Sequence, residues 1–293
     1  MTDKYAVIGN PISHSKSPQI HKMFAEQFKG KPAGDISYEA ILAPLEEGGF
    51  KAKVFQLRDE GYKGCNVTVP FKFEAFQLAT ELHPLAGIAQ AVNTLKFDGN
   101  TIKGHNTDGT GLIDDLQFNL NIKLNDKRVL LIGAGGAASG ILHSLLQMGT
   151  NITIVNRTVD KARTLAANTS FIKPELRAYD PARKNYAGKL DVLAGGYDDL
   201  VGRQFDVVIN ATSAGLTDSE LPLPSTIFAP GALAYDMMYG RETPFMKFAR
   251  EHGAAVVSDG LGMLVEQAAE SFFIWRGVRP VTKPVIAALR KQQ

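Results

Sequence analysis

RVLLIGAGGAASGILHSLLQMGTNITIVNR, residues 128–157, is the stretch whose reading decides the fold. Val129, Leu130, Leu131 and Ile132 form a short apolar run that stops at Gly133-Ala134-Gly135-Gly136-Ala137-Ala138. Ile141, Leu142, Leu145 and Leu146 then recur at helical spacing until Gly149, and a second run, Ile152 to Val155, ends in Asn156-Arg157-Thr158. The pattern predicts strand, glycine turn, helix, strand. In such a unit Gly133 permits the tight turn, Gly135 lets backbone approach a pyrophosphate, and Ala138 allows close helix–strand packing. Gly133, Ala134, Gly135, Gly136 and Ala137 are therefore candidates to cradle a dinucleotide at the helix N-terminus, where N–H groups and the helix dipole favour negative charge. The competing reading is a plain turn between a buried strand and helix.

The residues after the second strand sharpen the expectation. An acidic residue there would bond a ribose 2′-hydroxyl and select NAD. This chain has Asn156, Arg157, Thr158 and, one helical turn on, Lys161, and two cations beside a hydroxyl suit the 2′-phosphate of NADP. The alternative is that Thr158 caps a helix while Arg157 and Lys161 are solvated.

The chain has 293 residues, 44% of them hydrophobic, and a net charge of +2. That is enough for a sizeable core and for two domains. With no polybasic run, nucleic acid and anionic membrane are not expected partners. The one cysteine, Cys65, cannot form an internal disulfide, and the polar start Met1-Thr2-Asp3-Lys4 lacks the apolar core of a signal peptide, so a cytoplasmic location is expected. No stretch reads as a bilayer span, and no metal site is expected.

Taken in order, Tyr5 to Ile8 is a strand leading into the segment Gly9 to Pro18. Ser17-Pro18 reads as a helix start with Ser17 as N-cap, and Ile20, Phe24 and Phe28 give the buried face. Ser15 has no capping duty, and the two hydroxyls together also make a carboxylate site. Ile36, Tyr38 and Ala40 alternate as in a half-buried strand, and a helix is expected from Pro44 to Leu57. The run Gly64 to Val69 reads as a strand that Pro70 ends, delivering Lys72 at its carboxyl end. Val92 to Leu95 starts a hairpin with its turn at Asp98-Gly99-Asn100. Beyond it lie Asn106, Thr107 and Asp108; Asp108 could serve as a helix cap, and Asn106 and Asp108 could both be turn formers.

Val159, Ala162, Leu165 and Ala166 mark another helix. Later strands are read at Asp191 to Ala194, Asp206 to Ile209, Leu233 to Tyr235 and Ala255 to Val257, an alternation that predicts a doubly wound parallel sheet. Segment 165–204 is otherwise irregular. Asn210 to Gly215 and Asp236 to Gly240 follow two of these strands, at the sheet edge that would face a dinucleotide. The last long helix begins near Gly260, with Leu261, Leu264, Val265, Ala268 and Phe272 as its stripe and Gln267 beside it.

On these motifs the sequence resembles the shikimate dehydrogenase family over essentially the whole chain. The matching stretches are Gly9 to Pro18 with Ser15 and Ser17, Asn66 to Lys72, Ala91 to Thr94, Asn106 to Gly109, Gly133 to Ala137, Asn156 to Thr158, Asn210 to Ser213, Tyr235 to Met237 with Tyr239, and Gly260 to Val265 with Gln267. The resemblance implies NADPH-dependent, reversible reduction of 3-dehydroshikimate to shikimate in aromatic amino acid biosynthesis. It implies Ser15, Ser17, Thr68, Asn93, Asp108, Tyr239 and Gln267 as substrate ligands and Lys72 with Asp108 as the catalytic pair. Cofactor contacts are expected from the glycine turn, from Asn156, Arg157, Thr158 and Lys161, and from Thr212, Met237 and Gly260. Gln90 stands where the family typically has Gly, and Cys65 where it often has Ala.

An α/β fold follows: residues 1–107 with 260–293 form a substrate domain, 108–259 form a Rossmann-like NADP domain, and the site is a cleft between them. Lys72 would transfer the proton of the substrate hydroxyl, and Asp108 would position it. A monomer or homodimer is expected. The alternatives are a quinate or dual quinate/shikimate dehydrogenase, a different NADP enzyme sharing only the Rossmann portion, and a non-catalytic ligand sensor, for which keeping both Lys72 and Asp108 would be superfluous.

Overall fold

The structure, a computed structural model, describes residues 2–169 and 192–292. Its contacts divide the chain into two compact units, Met1–Leu112 with Leu264–Gln292, and Ile113–Met263.

In chain order the first unit contains β1 (Asp3–Gly9), α1 (Ser17–Gln27), β2 (Ile36–Leu42), α2 (Gly49–Asp59), β3 (Tyr62–Val67), α3 (Lys72–Leu78), β4 (Glu81–Leu82), α4 (Pro84–Ala89), β5 (Thr94–Asp98) and β6 (Thr101–His105). α5 (Asp108–Asp114) then carries the chain into the second unit. There follow β7 (Arg128–Ile132), α6 (Gly136–Gln147), β8 (Asn151–Val155), α7 (Val159–Ala167), β9 (Val192–Gly195), β10 (Phe205–Asn210), β11 (Phe228–Asp236), α8 (Pro244–Glu251) and β12 (Val256–Ser258). α9 (Leu261–Arg276) returns the chain to the first unit, which α10 (Lys283–Arg290) completes.

The first unit's sheet runs β2-β1-β3-β5-β6-β4. β1 is parallel to β2 and β3, while β5 is antiparallel to both β3 and β6. Register therefore brings the end of β3, the start of β5 and the end of β6 to one edge: Asn66 pairs with Thr94, and Thr94 with His105. Helices cover both faces, which is why Tyr5 to Ile8 of β1 reads as an unbroken apolar run. On one face Phe50, Val54 and Leu57 of α2 pack with Phe71, Ile8 and Val67. Aromatic contacts hold the other helices: Tyr5 stacks on Trp275 with ring centroids 4.6 Å apart, and Phe24 meets Phe272 edge-on at 5.9 Å.

The second unit's sheet is all parallel, ordered β12-β11-β10-β7-β8-β9. Numbered from β7, that is the 3-2-1-4-5-6 order of dinucleotide-binding sheets. Its switch point lies between β7 and β10, whose paired ends Ile132 and Asn210 lead into the glycine turn and into Ala211-Thr212. Leu130, Ile132, Val155 and Val208 share one core cluster with Phe205, Phe245 and Ala249.

Several local expectations need correction. The second helix starts at Gly49, not Pro44, because Gly48 adopts a left-handed φ of 77° that breaks the helical path. β3 ends at Val67, two residues early: Thr68 N–H still donates to Ile8, but Phe71 N–H turns back to Thr68, closing a turn around Pro70. Lys72 accordingly opens a short helix. Ser17 is not an N-cap; it is the first helical residue, and the cap position, Lys16, makes no side-chain bond. The strand expected from Asp191 begins at Val192, Asp191 and the rest of 170–191 lying outside the described residues.

Gln90, which departs from the resemblance, takes a left-handed φ of 50° at the end of α4. A side chain there costs about 1 kcal/mol that glycine does not. Gln90→Gly is expected to raise stability by roughly 0.5–1 kcal/mol, read as a higher denaturation midpoint; an unchanged or lower midpoint would contradict this.

Candidate active site

Chain segments far apart in sequence meet at the shared edge of the first unit's sheet. Backbone bonds lock them in register: Thr68 N–H to Ile8 O, Val67 N–H to Asn93 O, Asn93 N–H to His105 O and Val92 N–H to Lys72 O, all between 2.8 and 3.0 Å. Lys72 is thereby held beside the residue that precedes Asn93, and Asn93 beside the strand that leads into Asp108.

Lys72 Nζ and Asp108 Oδ2 lie 2.5 Å apart, with the carboxylate buried and the lysine side chain 25% exposed. Asp108 is the first residue of α5. Its backbone N–H bonds Asn106 Oδ1 at 3.0 Å, so Asn106 shapes the helix start, and the Asp108 side chain is not spent on capping. Asp108 Oδ1 accepts from Asn93 Nδ2 at 2.9 Å. The same Asn93 amide also reaches Thr107 Oγ1 at 2.9 Å and Gln267 Oε1 at 3.3 Å, while its Oδ1 accepts from Thr107 N–H. Gln267 comes this close because α5 and α9 touch at Gly111. A Cβ on Gly111 would lie 2.6 Å from Gln267 Cβ and 2.7 Å from its backbone nitrogen, so any side chain there would push Gln267 off Asn93.

A second string of contacts ties Ser17 to this cluster. Tyr38 donates to Asn66 Oδ1 at 2.7 Å, and Asn66 Nδ2 donates to Asn93 O, Thr94 Oγ1 and Ser271 Oγ at 3.0–3.2 Å. Burial drives the Tyr38 phenol well above its ordinary pKa; the nearby Cys65 adds to the rise and a bond from Ser17 opposes it. His21 stacks on Tyr38 at 4.1 Å, and burial pulls its pKa down to about 3, which keeps the imidazole neutral. Ser15 Oγ accepts from Ser17 N–H at 3.3 Å, the capping-type bond that the sequence had pointed to at Ser17. Thr68 lies against Gly9, where a Cβ would come within 2.4 Å of its methyl group.

Thus the structure joins Lys72, Asp108, Asn93 and Gln267 directly, links Ser17 to them through Tyr38 and Asn66, and puts Ser15 next to Ser17. Tyr239 belongs to the second unit, where burial raises its phenol and keeps it neutral. Thr107, Asn66 and Ser271 are polar partners that the sequence reading did not single out. The first two lie inside motifs already noted, and Ser271 follows Gln267 by one helical turn.

In the second unit Gly133 has a φ of 108°, and a Cβ there would lie 3.1 Å from Ala211 O. Gly135 occupies the cap position of α6 without a side-chain bond. Cβ atoms at Gly135 and Gly136 would meet nothing within 4 Å, so the first turn of α6 faces open space, as a diphosphate requires. Ala134 and Ala137 flank that opening, half-buried. Arg157, Thr158 and Lys161 are exposed at the end of β8, and Thr158 makes no capping bond. Among the described residues no ion pair involves Arg157 or Lys161. Asn156 Nδ2 donates to Thr158 O, which shapes the turn that presents them. Thr212 bonds Asn210 Oδ1 through both its N–H and its hydroxyl. Gly260 packs on Met237 and donates its N–H to Met238 O. These features fit a phosphorylated dinucleotide. Among the described residues no cluster of His, Cys, Asp or Glu could hold a metal, and no helix is long and apolar enough to cross a membrane.

Three family models match: a shikimate dehydrogenase substrate binding domain over residues 7–95, a shikimate / quinate 5-dehydrogenase over 116–194, and a shikimate 5′-dehydrogenase C-terminal domain over 260–290. A shikimate dehydrogenase (NADP(+)) from Methylobacillus flagellatus is 55% identical, across 98% of this chain and 99% of that protein. Among solved structures, an Ael1 enzyme from Pseudomonas putida is 45% identical with a TM-score of 0.84, covering 98% of both chains. A Thermus thermophilus shikimate 5-dehydrogenase, solved in complex with NADP(H) and shikimate, is 29% identical with a TM-score of 0.81, covering 99% of this chain and 100% of that one.

Proposed function

The chain belongs to the shikimate dehydrogenase family, and from that premise we propose how its residues carry out the family's reaction. It is an NADP-dependent oxidoreductase that interconverts 3-dehydroshikimate and shikimate, a step of aromatic amino acid biosynthesis. The observation that carries the residue assignment is the Lys72–Asp108 contact at 2.5 Å, fixed by Asn93 in a largely buried setting.

NADP+ held by the α6 turn, Arg157, Thr158 and Lys161 would supply the hydride acceptor for alcohol oxidation. The hydroxyl proton must leave at the same stage, and Lys72 Nζ is the group placed to take it, or to return it to the nascent alkoxide in reduction. Asp108 holds Lys72 through Oδ2 and, through Oδ1 and Asn93, fixes the position of its own carboxylate. A lone pair on that carboxylate remains to accept from a ring hydroxyl of the substrate. Asn93, Thr68 and Gln267 supply further donors and acceptors for the ring hydroxyls, and neutral Tyr239 offers a phenolic donor. Ser15 and Ser17 hold the carboxylate. The first unit is thus the substrate domain, and the second binds NADP through the α6 turn, Arg157, Thr158 and Lys161. We place the enzyme in the cytoplasm as a monomer or homodimer, supported by its single buried cysteine and its bacterial biosynthetic relatives.

Ser15→Ala is expected to raise KM for shikimate about tenfold with kcat little changed, the loss of one hydrogen bond to a charged group worth roughly 1.5 kcal/mol. A lower melting temperature with unchanged kinetics would instead mean that Ser15 only holds the start of α1. The whole assignment is tested by following nicotinamide absorbance with shikimate or quinate, each paired with NADP+ or NAD+. The shikimate and NADP+ pair should be fastest, and a protein that turned over quinate faster would move it to the quinate branch.

A further inference from the structure

Asp236 has no exposed surface, and among the described residues no cation pairs with it. A buried carboxylate of this kind is costly to desolvate, and the fold retains it only where donors converge on it. Three do: Met238 N–H donates to Oδ1 at 2.9 Å, and Thr243 Oγ1 and Asn210 Nδ2 donate to Oδ2 at 2.5 and 3.2 Å. Burial pushes the carboxyl pKa up, the three bonds pull it back, and nearby Asp259 adds to the rise.

The partners matter more than the bonds themselves. Asn210 ends β10, and its amide is used at both ends: Nδ2 faces Asp236, while Oδ1 receives the N–H of Thr212 at 3.1 Å and its hydroxyl at 2.7 Å. Thr212 Oγ1 in turn accepts from Ala214 N–H. On the other side Met238 N–H anchors the segment that contains Met237 and Tyr239, and Met237 N–H bonds Asn210 O. Because Asp236 faces Asn210 as an acceptor, it fixes which way the Asn210 amide points. That orientation fixes Thr212.

We propose that Asp236 is a positioning residue, which through Asn210 and Met238 sets the two segments at the ends of β10 and β11 that present Thr212, Met237 and Tyr239 to NADP and substrate. The proposal rests on the functional reading above for what those segments bind. In Asp236→Asn the new amide, keeping its oxygen toward Met238, would face the Asn210 amide donor to donor. Asn210 could relieve this only by flipping, which would turn its NH2 group onto Thr212 N–H. Exchanging the two residues, Asp236→Asn with Asn210→Asp, restores one donor facing one acceptor and leaves an acceptor for Thr212.

The test is the Kd for NADP+, measured by calorimetry on the full chain, with the melting temperature recorded for each variant. Asp236→Asn is expected to bind NADP+ about tenfold more weakly, and the exchanged pair to recover to within about threefold of wild type. A purely structural carboxylate would shift the melting temperature and leave NADP+ affinity of the folded protein unchanged, and that result overturns the proposal. So does an exchanged pair that binds no better than Asp236→Asn. Should Asp236→Asn not fold, Thr243→Val removes one donor from Oδ2, and with it the side-chain cap on Met246 N–H that starts α8, whose loss is read separately in the melting temperature. This variant is then expected to weaken NADP+ about threefold, and an unchanged Kd overturns the proposal. Wild-type protein that failed to bind NADP+ would sink the functional reading itself, an outcome distinct from either.

Discussion

Lys72→Ala is expected to lower kcat by about 10²- to 10⁴-fold, roughly 3 to 5.5 kcal/mol of barrier, the usual contribution of a positioned proton-transfer group. KM for NADP+ and the fold should survive, because Lys72 lies in the first unit and its side chain is partly exposed. Asp108→Ala should also lower kcat and in addition raise KM for shikimate, since its carboxylate is assigned both Lys72 and a substrate hydroxyl. With the two groups 2.5 Å apart they should act as a unit. The double variant should then be little worse than the more damaged single one. Additive losses would mean that they work separately, and near-normal kcat in Lys72→Ala would remove the lysine from the chemistry.

Arg157→Asp is expected to raise KM for NADP+ by about 10²-fold and to change that for NAD+ far less. Losing charge-assisted bonds to a phosphate costs about 1.5 to 3 kcal/mol, and the new carboxylate adds repulsion. The substitution should leave stability nearly untouched, because the Arg157 side chain is exposed and forms no ion pair among the described residues. An unchanged KM for NADP+ would return Arg157 to a solvated surface role, and an equal loss with both cofactors would place it against a part of the dinucleotide that they share. Wild-type protein with equal kcat/KM for the two cofactors would contradict the reading of residues 156–161 as a whole.

What could be read from the sequence follows the range of the interaction concerned. The β7-α6-β8 unit was legible because its apolar runs, glycines and helical spacing are all local, and its strands are buried on both faces. Lys72 and Asp108 were legible as members of motifs. Their contact was not, since it depends on β3, β5 and β6 meeting in one register. Ser17 reads as a cap because Ser-Pro predicts one locally, whereas its hydroxyl turns to Tyr38, a residue of β2 some twenty positions on. Short elements also escaped: α3 has too few residues to show a period, and β4 has only two. Gln267 could have reached solvent as easily as a site. Only the close approach at Gly111 decides it, and a glycine inside a helical pattern gives no hint of which helix it touches. Asn210 and Asp236 likewise end two strands that the sequence shows, yet their contact comes from the parallel pairing of β10 with β11.

The most direct measurement is the reduction itself: purified protein with NADPH and 3-dehydroshikimate, with the fall in nicotinamide absorbance followed and the product identified by mass spectrometry. NADPH should be consumed in equal amount to the shikimate formed, with Lys72→Ala slower by at least about a hundredfold. No NADPH consumption by the wild-type protein, or consumption at the same rate by Lys72→Ala, would contradict it.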